Sequence, residues 1–327
     1  MNLNLYDHDL KRIATIGNRF VSCLWSEGYN TTESFCLELV ETEEYKRKVR
    51  PDFYVGRTDR KTLMVIKSVE VKNGHIVATG KEAKGVLGDV SFIGTIASGS
   101  PVDTSIKSAY NGSSKYHKLE FGDSISGVEY DHQISHKSIL ELCEIMCQDT
   151  DIGFRSIRDG EQISLQLYQP SFNPNLILSH TFGNLSDVEF LTSLENYKNY
   201  AIVLGSGEGD DRIRFDVDRT EGAERRELII DASDIAIEEG ETESDYLGRL
   251  EARGVEKLLE KQETLKVSFL PFSGEFGKRY DLGDIITVRL SDFGIILRSR
   301  IYRFTQKSQG NATTTKIEVG KTIIKRR

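Results

Sequence analysis

The sequence predicts a β-rich α+β protein in which two β-barrel-like domains flank a mixed α/β middle. Three observations carry that expectation. Short segments with period-two alternation fill the first ninety-odd residues, a similar series fills the last sixty-odd, and helical periodicity is confined to the stretch between them. The expected division is 1–95, an N-terminal barrel-like domain; 96–200, an inserted α/β domain with a long polar loop; 201–263, a hairpin and helix that connect; and 264–327, the C-terminal barrel-like domain.

The opening strands are RFVSCLW, ESFCLELV, DFYVGR, TLMVIKSVEV and HIVATGKEA, separated by the turn signals EGYN, TDRK and KNG. Phe35, Leu37 and Leu39 alternate with Cys36, Glu38 and Val40, so one face of that strand can be buried. Residues 97–135 are rich in Gly, Ser and other polar residues and predict a long loop or excursion. A helix is expected at about 136–149, where Ile139, Leu142, Cys143 and Met146 form an apolar stripe. GFRSIR and QISLQLYQP then flank Asp159–Gly160, a hairpin signal.

Ser186 and Glu189 stand at capping-box spacing, Val188, Leu191 and Leu194 supply a modest apolar face, and together they predict a helix over SDVEFLTSLENY. A second helix is expected over ETESDYLGRLEARGVEKLLEKQ, capped by Thr242 and Asp245. TLKVSFLP, DIITVRL, IILRSRIYRF and TTTKIEVG close the chain as strands, with Gly283, Gly294 and Gly310 at their turns.

Composition limits the function. The chain has 327 residues, 38% of them hydrophobic and 29% charged, as in a soluble globular protein. No apolar run approaches the ~18 residues of a membrane-spanning helix, and the N-terminus lacks the basic start and apolar stretch of a signal peptide. The net charge of −8 is concentrated: residues 205–245 hold 15 Asp and Glu against five Arg. Such a balance argues against a nucleic-acid reader, which needs a basic face. The short basic tail KTIIKRR is expected to be a solvated end.

Motifs that would carry chemistry do not assemble. AIVLGSGEGDDRIRFDV (residues 201–217) has the glycines of a phosphate loop. It lacks the helix that such a loop opens, and Glu208, Asp210 and Asp211 would repel an anion, so a hairpin with a Gly-rich turn is expected. The DFG letters of residues 292–294 lack every companion kinase motif and read as a hairpin turn. Cys143 and Cys147 stand near His132 and His136, a spacing that raises zinc, but the apolar stripe already accounts for Cys143 as core. The four cysteines show no CxxC pair and are expected to be reduced. No G-x-S-x-G or HExxH pattern occurs. No catalytic, cofactor-binding or metal-binding residue is assigned, no cofactor is expected, and the protein is read as a non-enzyme.

Four blocks in order resemble the tail-hub family of siphoviruses and its relatives in contractile baseplates. SCLWSEGYNTTESFCLEL carries Trp25, Tyr29, Asn30, Phe35 and Leu37. NYAIVLGSGEGDDR with RRELIIDASDI carries Asn199, Ala201, Val203, Gly205, Gly207, Gly209, Arg226, Glu227, Asp231 and Ala232. YLGRLEARGVEKL carries Arg253 and Gly254, and KRYDLGDIITVRL carries Tyr280, Leu282, Gly283 and Asp284. The resemblance implies a homotrimeric ring that closes the distal tail tube and adapts its six-fold symmetry to a three-fold spike or tip. It implies tail-tube and spike or tip proteins as partners, contact with the tape-measure protein, DNA only in passage through the lumen, and no membrane binding. The place implied is a virion tail or baseplate made in the bacterial cytoplasm. Many relatives continue into a peptidase or lysin domain; ending at Arg327, this chain is expected to carry none.

Two alternatives are a cell-wall hydrolase whose site assembles from distant residues and a carbohydrate-binding module of the tail tip. Tyr110, Tyr116 and Tyr130 are the aromatic candidates for the second.

Overall fold

The opening residues form seven strands, the five expected and two before them that the sequence did not mark: β1 (Leu3–Tyr6), β2 (Arg12–Gly17), β3 (Ser22–Gly28), β4 (Ser34–Val40), β5 (Tyr54–Arg57), β6 (Leu63–Lys72) and β7 (His75–Glu82). In β4, Phe35, Leu37 and Leu39 are buried while the residues between them face outward, as period two requires. A short helix, α1 (Glu43–Lys48), separates β4 from β5 and is capped by the Thr42 side chain. The computed structural model describes residues 1–324 apart from 115, 123, 239, 263, 272–275, 292–293 and 311. The chain forms two units, Met1–Val188 with Ser268–Arg327, and Glu189–Val267.

The middle of the first unit holds β8 (Ser91–Ile96), β9 (Ser100–Pro101), α2 (Val102–Asn111), β10 (Leu119–Phe121), β11 (Glu129–Tyr130), β12 (Ile134–Ser138), α3 (Ile139–Asp149), β13 (Gly153–Asp159), β14 (Gln162–Tyr168) and β15 (Phe172–Ser179). Ser138 and Glu141 close a capping box at the start of α3, which buries Ile139, Leu142, Cys143, Met146 and Cys147. The hairpin β13–β14 pairs Asp159 with Gln162 across Gly160, whose φ is +60°. One core joins Tyr54, Leu63 and Val65 of the strands to Val86 and Leu87, to Ile106 of α2, to Leu142 and Met146 of α3, and to Phe154 and Leu165.

β16 (Leu185–Ser193) leads out of the first unit. The second unit contains β17 (Tyr200–Leu204), β18 (Arg214–Asp218), β19 (Glu227–Asp231) and α4 (Glu243–Leu259). β17 lies centrally, antiparallel to β18 and parallel to β19. α4 starts at Thr242, whose side chain accepts from the Asp245 N–H, and it buries Tyr246, Leu250, Gly254 and Leu258. These residues meet Ala201, Val203, Val217 and Ile230 in a separate small core.

β20 (Thr264–Pro271), β21 (Ile285–Leu290), β22 (Ile295–Gln309) and β23 (Ala312–Ile324) complete the chain. β22 is long enough for two neighbours along one edge: Ile295–Arg300 pair with β21, and Arg303–Gln309 pair with β3. That second pairing joins the two ends of the chain in one sheet, ordered β2-β1-β5-β6-β7-β4-β3-β22-β23-β20-β16, with β21 on β22 and β15 parallel to β21.

The β-rich α+β class is what the alternation predicts, but the strands do not close into two barrels among the described residues. The order β2 to β16 is an open path, and the terminal strand sets share it. Two local expectations are also corrected. SDVEFLTSLENY is not a helix: Leu185–Ser193 is the strand β16, in which Val188 and Thr192 are β-branched and Leu191 is exposed rather than on a buried helix face. Residues 97–135 are not one loop, because α2 buries Val102, Ile106, Ala109 and Tyr110 at the i, i+4, i+7, i+8 spacing of a helix face. Asp292 and Phe293 of the DFG letters and the tail residues 325–327 lie outside the described residues.

Candidate functional site

In the first unit the first and last motif blocks meet in one packed turn. Asn30, at φ +51°, donates from Nδ2 to the Ile152 carbonyl (2.7 Å) and accepts from the Phe154 N–H (2.9 Å), which pins the start of β13. Asn is among the few residues that tolerate this left-handed backbone. The neighbouring Tyr29 N–H donates to Tyr302 O, and the Tyr29 ring lies against Gly283. A Cβ on Gly283 would stand 2.6 Å from that ring, and its φ of +87° is open to glycine. Arg300 sits 5.0 Å from the Tyr29 centroid and donates to the Gly283 carbonyl at 2.7 Å. Tyr168 OH donates to Leu282 O, and the Asp284 carboxylate accepts from the N–H groups of Ser171 and Asp281. Tyr280 is buried, its ring 5.9 Å from that of Phe276.

Behind this turn lies a buried charge network that the sequence reading did not single out. Glu27 accepts from Trp25 Nε1 (2.8 Å), from Arg60 Nε (2.7 Å) and Nη2 (2.9 Å), and from Thr62 Oγ1 (3.0 Å). Arg60 also reaches Asp281 at 3.1 Å and lies over the stacked rings of Phe276 and Phe304. Arg57 forms a two-pronged pair with Asp59 and lies 5.7 Å from the Trp25 ring, which also contacts Phe35. Glu82 accepts the N–H groups of Gly28 (2.8 Å) and Glu33 (3.1 Å) and lies 3.3 Å from Lys84 Nζ. Lys84 donates to the Gly28 carbonyl at 2.5 Å. These groups border a cavity of about 1270 Å³ whose wall also includes Arg155, Tyr168, Asp284 and Gln306.

The two buried acids sit in opposite electrostatic settings. Burial alone would push the Glu27 carboxyl up, but the Arg60 guanidinium and the hydrogen bonds from Arg60 and Trp25 hold it below the ordinary value. Burial pushes Glu82 up to about 7 despite Lys84, and Glu27 adds repulsion in the same direction. No sequence signal marks this set: Glu27 and Glu82 close strands, Arg60 and Lys84 lie in the connections, and nothing local pairs them.

In the second unit the Gly-rich segment is the hairpin turn between β17 and β18 and opens no α-helix. Gly205 N–H donates to Ile213 O, and Ile213 N–H to Ser206 O. A Cβ on Gly205 would lie 2.4 Å from the Tyr246 hydroxyl, and one on Gly207, at φ +118°, would lie 2.6 Å from Asp211 O. Gly209 has φ +56°. Asn199 accepts from the Arg226 N–H and donates to Glu224 O, so it clamps the loop before β19. Glu227 pairs with Arg225, Asp231 with Arg212, and Arg253 with Asp234. The hydrogen bond from Arg212 leads the influences that bring the Asp231 carboxyl down to about 2. Gly254 lets α4 approach the sheet, where a Cβ would stand 2.6 Å from Val217 and 2.9 Å from Val203.

The geometry supports neither the zinc reading at the cysteines nor the sugar platform. Cys143 and Cys147 are buried, and burial raises both thiols, that of Cys147 well above its ordinary value. His132 is exposed and faces Asp149 at 3.6 Å rather than the cysteines. Tyr110 and Tyr130 are buried, and Tyr116 packs partly buried against the same core, so the three do not form an exposed sugar platform.

The family model described as Siphovirus ReqiPepy6 Gp37-like protein matches residues 114–321. No curated protein matches the chain in sequence. Among solved structures, a tail protein from Neisseria meningitidis MC58 is similar with 11% identity and a TM-score of 0.62, covering 98% of this chain and 96% of that one. The 43 kDa tail protein of prophage MuSo2 from Shewanella oneidensis has 13% identity and a TM-score of 0.61, with 98% of each chain covered. Prophage tail protein gp18 from Listeria monocytogenes EGD-e has 10% identity and a TM-score of 0.56, covering 99% of this chain and 94% of that one.

Proposed function

The chain belongs to the Siphovirus ReqiPepy6 Gp37-like family, and on that footing we propose that it is a structural protein of a phage tail or baseplate, working without catalysis. The motif residues fit this role: their side chains and glycines are committed to turns, clamps and close packing. At finer grain, three copies form a ring at the distal end of the tail tube and match its six-fold symmetry to a three-fold spike or tip. Barrel-like walls then arise between copies, with the tape-measure protein and DNA passing through the lumen.

The observation that carries the ring is the open sheet, which spans both ends of the chain and, among the described residues, finishes at β2 and β16 without closing on itself. Exposed strand edges invite pairing, and a closed cyclic assembly covers them. The acidic stretch supports a lumen. Among its described carboxylates, all but Glu241 are exposed. Asp216, Asp218, Glu227 and Asp231 share the face of the small sheet opposite the buried row Ala201, Val203, Val217 and Ile230. Negative charge there would keep DNA from adhering.

Light scattering on the purified protein, alone and mixed with the tail-tube or spike protein encoded beside it, tests the reading. A mass three times that of one chain, alone or on mixing, is the expected outcome. A chain that stays monomeric with both partners overturns the ring, and a map with Asp216 and Asp218 on its outer wall overturns the lumen.

A further inference from the structure

Two histidines and an aspartate from distant segments converge on the surface of the first unit. His8 and Asp9 occupy the turn between β1 and β2, and His117 lies just before β10. Both turns are held from behind. Asp7 Oδ1 accepts the N–H groups of Asp9 and Lys11 at 2.9 Å each, and the buried Leu10, at φ +62°, anchors the first turn in the core. On the other side the Tyr110 hydroxyl donates to Leu119 O at 2.8 Å and fixes the residues that follow His117. The imidazoles of His8 and His117 stack, 4.2 Å between centroids and 6° between planes. His117 Nε2 lies 3.0 Å from Asp9 Oδ1. One ligand atom from each of the three residues lies within 4.8 Å of the other two.

We propose that His8, Asp9 and His117 form a binding site for a divalent transition-metal ion, zinc foremost, which fastens the first hairpin to the segment entering β10. Ligands about 2.1 Å from a tetrahedral zinc stand about 3.4 Å apart, and an ion lies in the plane of each imidazole that binds it, so the two exposed rings rotate out of their stack as the three ligand atoms draw together around the metal. Two imidazoles and one carboxylate, with water in the fourth position, are a donor set that zinc, nickel or copper accepts. Calcium and magnesium do not suit it, since they require a shell of oxygen ligands and only one carboxylate is offered. Lys11 and Lys118 lie close enough to act on Asp9 and add positive charge. A weakly coordinating cation would be repelled there, whereas one that bonds strongly to imidazole would not. The site joins residues 108 positions apart, so occupancy would restrain the first hairpin as well as bind metal.

The test uses the full chain without a polyhistidine tag, stripped with EDTA and titrated with zinc chloride by calorimetry while thermal melting is followed in parallel. One zinc per chain and a rise in Tm are expected, because an ion bound only by the folded state stabilises it. His8→Ala and His117→Ala should each weaken binding by about 10-fold or more and abolish the rise in Tm, with the metal-free Tm unchanged. His132→Ala, which alters a histidine–aspartate pair elsewhere, should leave binding intact. Absence of binding at millimolar zinc overturns the proposal, as does unchanged stoichiometry and affinity in the His8→Ala/His117→Ala double variant. A calcium response equal to that of zinc would overturn the assignment of metal class.

Discussion

Glu82 shows how one buried residue couples the fold to pH. Its folded pKa is raised from 4.5 to about 7, mainly by burial, so the native state holds its proton more tightly than the unfolded chain does. The stability from this group is complete below about 4.5 and is lost as pH rises toward about 7. Glu82→Gln removes the titration while keeping an acceptor for the Gly28 and Glu33 N–H groups. The Tm of the wild type minus that of Glu82→Gln should therefore fall between pH 4.5 and 7 and level off above it. A difference that stays flat across that window would show that Glu82 is ionised throughout. Glu27 carries the opposite sign: held down by Arg60 and Trp25, it contributes above its unfolded pKa and loses that contribution on acidification. Neither role was legible in the sequence, where Glu27 and Glu82 are two acids at strand ends. The partners come from other strands, and burial depends on the whole sheet.

At the scale of elements, Gly254 decides how α4 lies on its sheet. Glycine inside a helix costs about 1 kcal/mol relative to alanine, so its place at the centre of α4 calls for a packing reason. The reason is proximity: Val203 and Val217 leave no room for a larger side chain. Gly254→Leu should push the helix off β17 and β18 and cost about 3 kcal/mol. Urea melts followed by circular dichroism would measure it, and a change under about 0.5 kcal/mol would mean that α4 is not seated by this contact. The helix itself was legible, since Thr242 and Asp245 frame its start and Tyr246, Leu250 and Leu258 mark its buried face. β16 was not. Ser186 and Glu189 mimic a capping box and Val188, Leu191 and Leu194 mimic a helix face behind it, but Leu191 and Leu194 are exposed and the β-branched Val188 and Thr192 favour a strand. α2 was missed for the converse reason: Gly and Ser around it hid the spacing of Val102, Ile106, Ala109 and Tyr110.

For the whole molecule, most strands of the two terminal segments were legible and the strand order was not. Alternation marks a strand but carries no record of its neighbour, so the joining of β3 to β22 is visible only in the folded chain. The same limit hid the set of His8, Asp9 and His117, while Cys143, Cys147, His132 and His136, close together in sequence, do not converge. The strand order has a consequence for stability. The first unit is tied together by pairings between its two terminal segments and by a core that spans strands and both α2 and α3. The second is a three-stranded sheet and one helix over a core of eight buried apolar residues. A smaller unit buries a smaller fraction of its surface, and cooperative regions with fewer buried contacts open at lower free energy. Native-state hydrogen exchange across a denaturant series should therefore find the amides of β17, β19 and α4 opening before those of β3, β4 and β22. Equal opening energies in the two sets, both matching global unfolding, would mean that the chain folds as one cooperative body and that the small core of Val203, Val217, Tyr246 and Leu250 has no transition of its own.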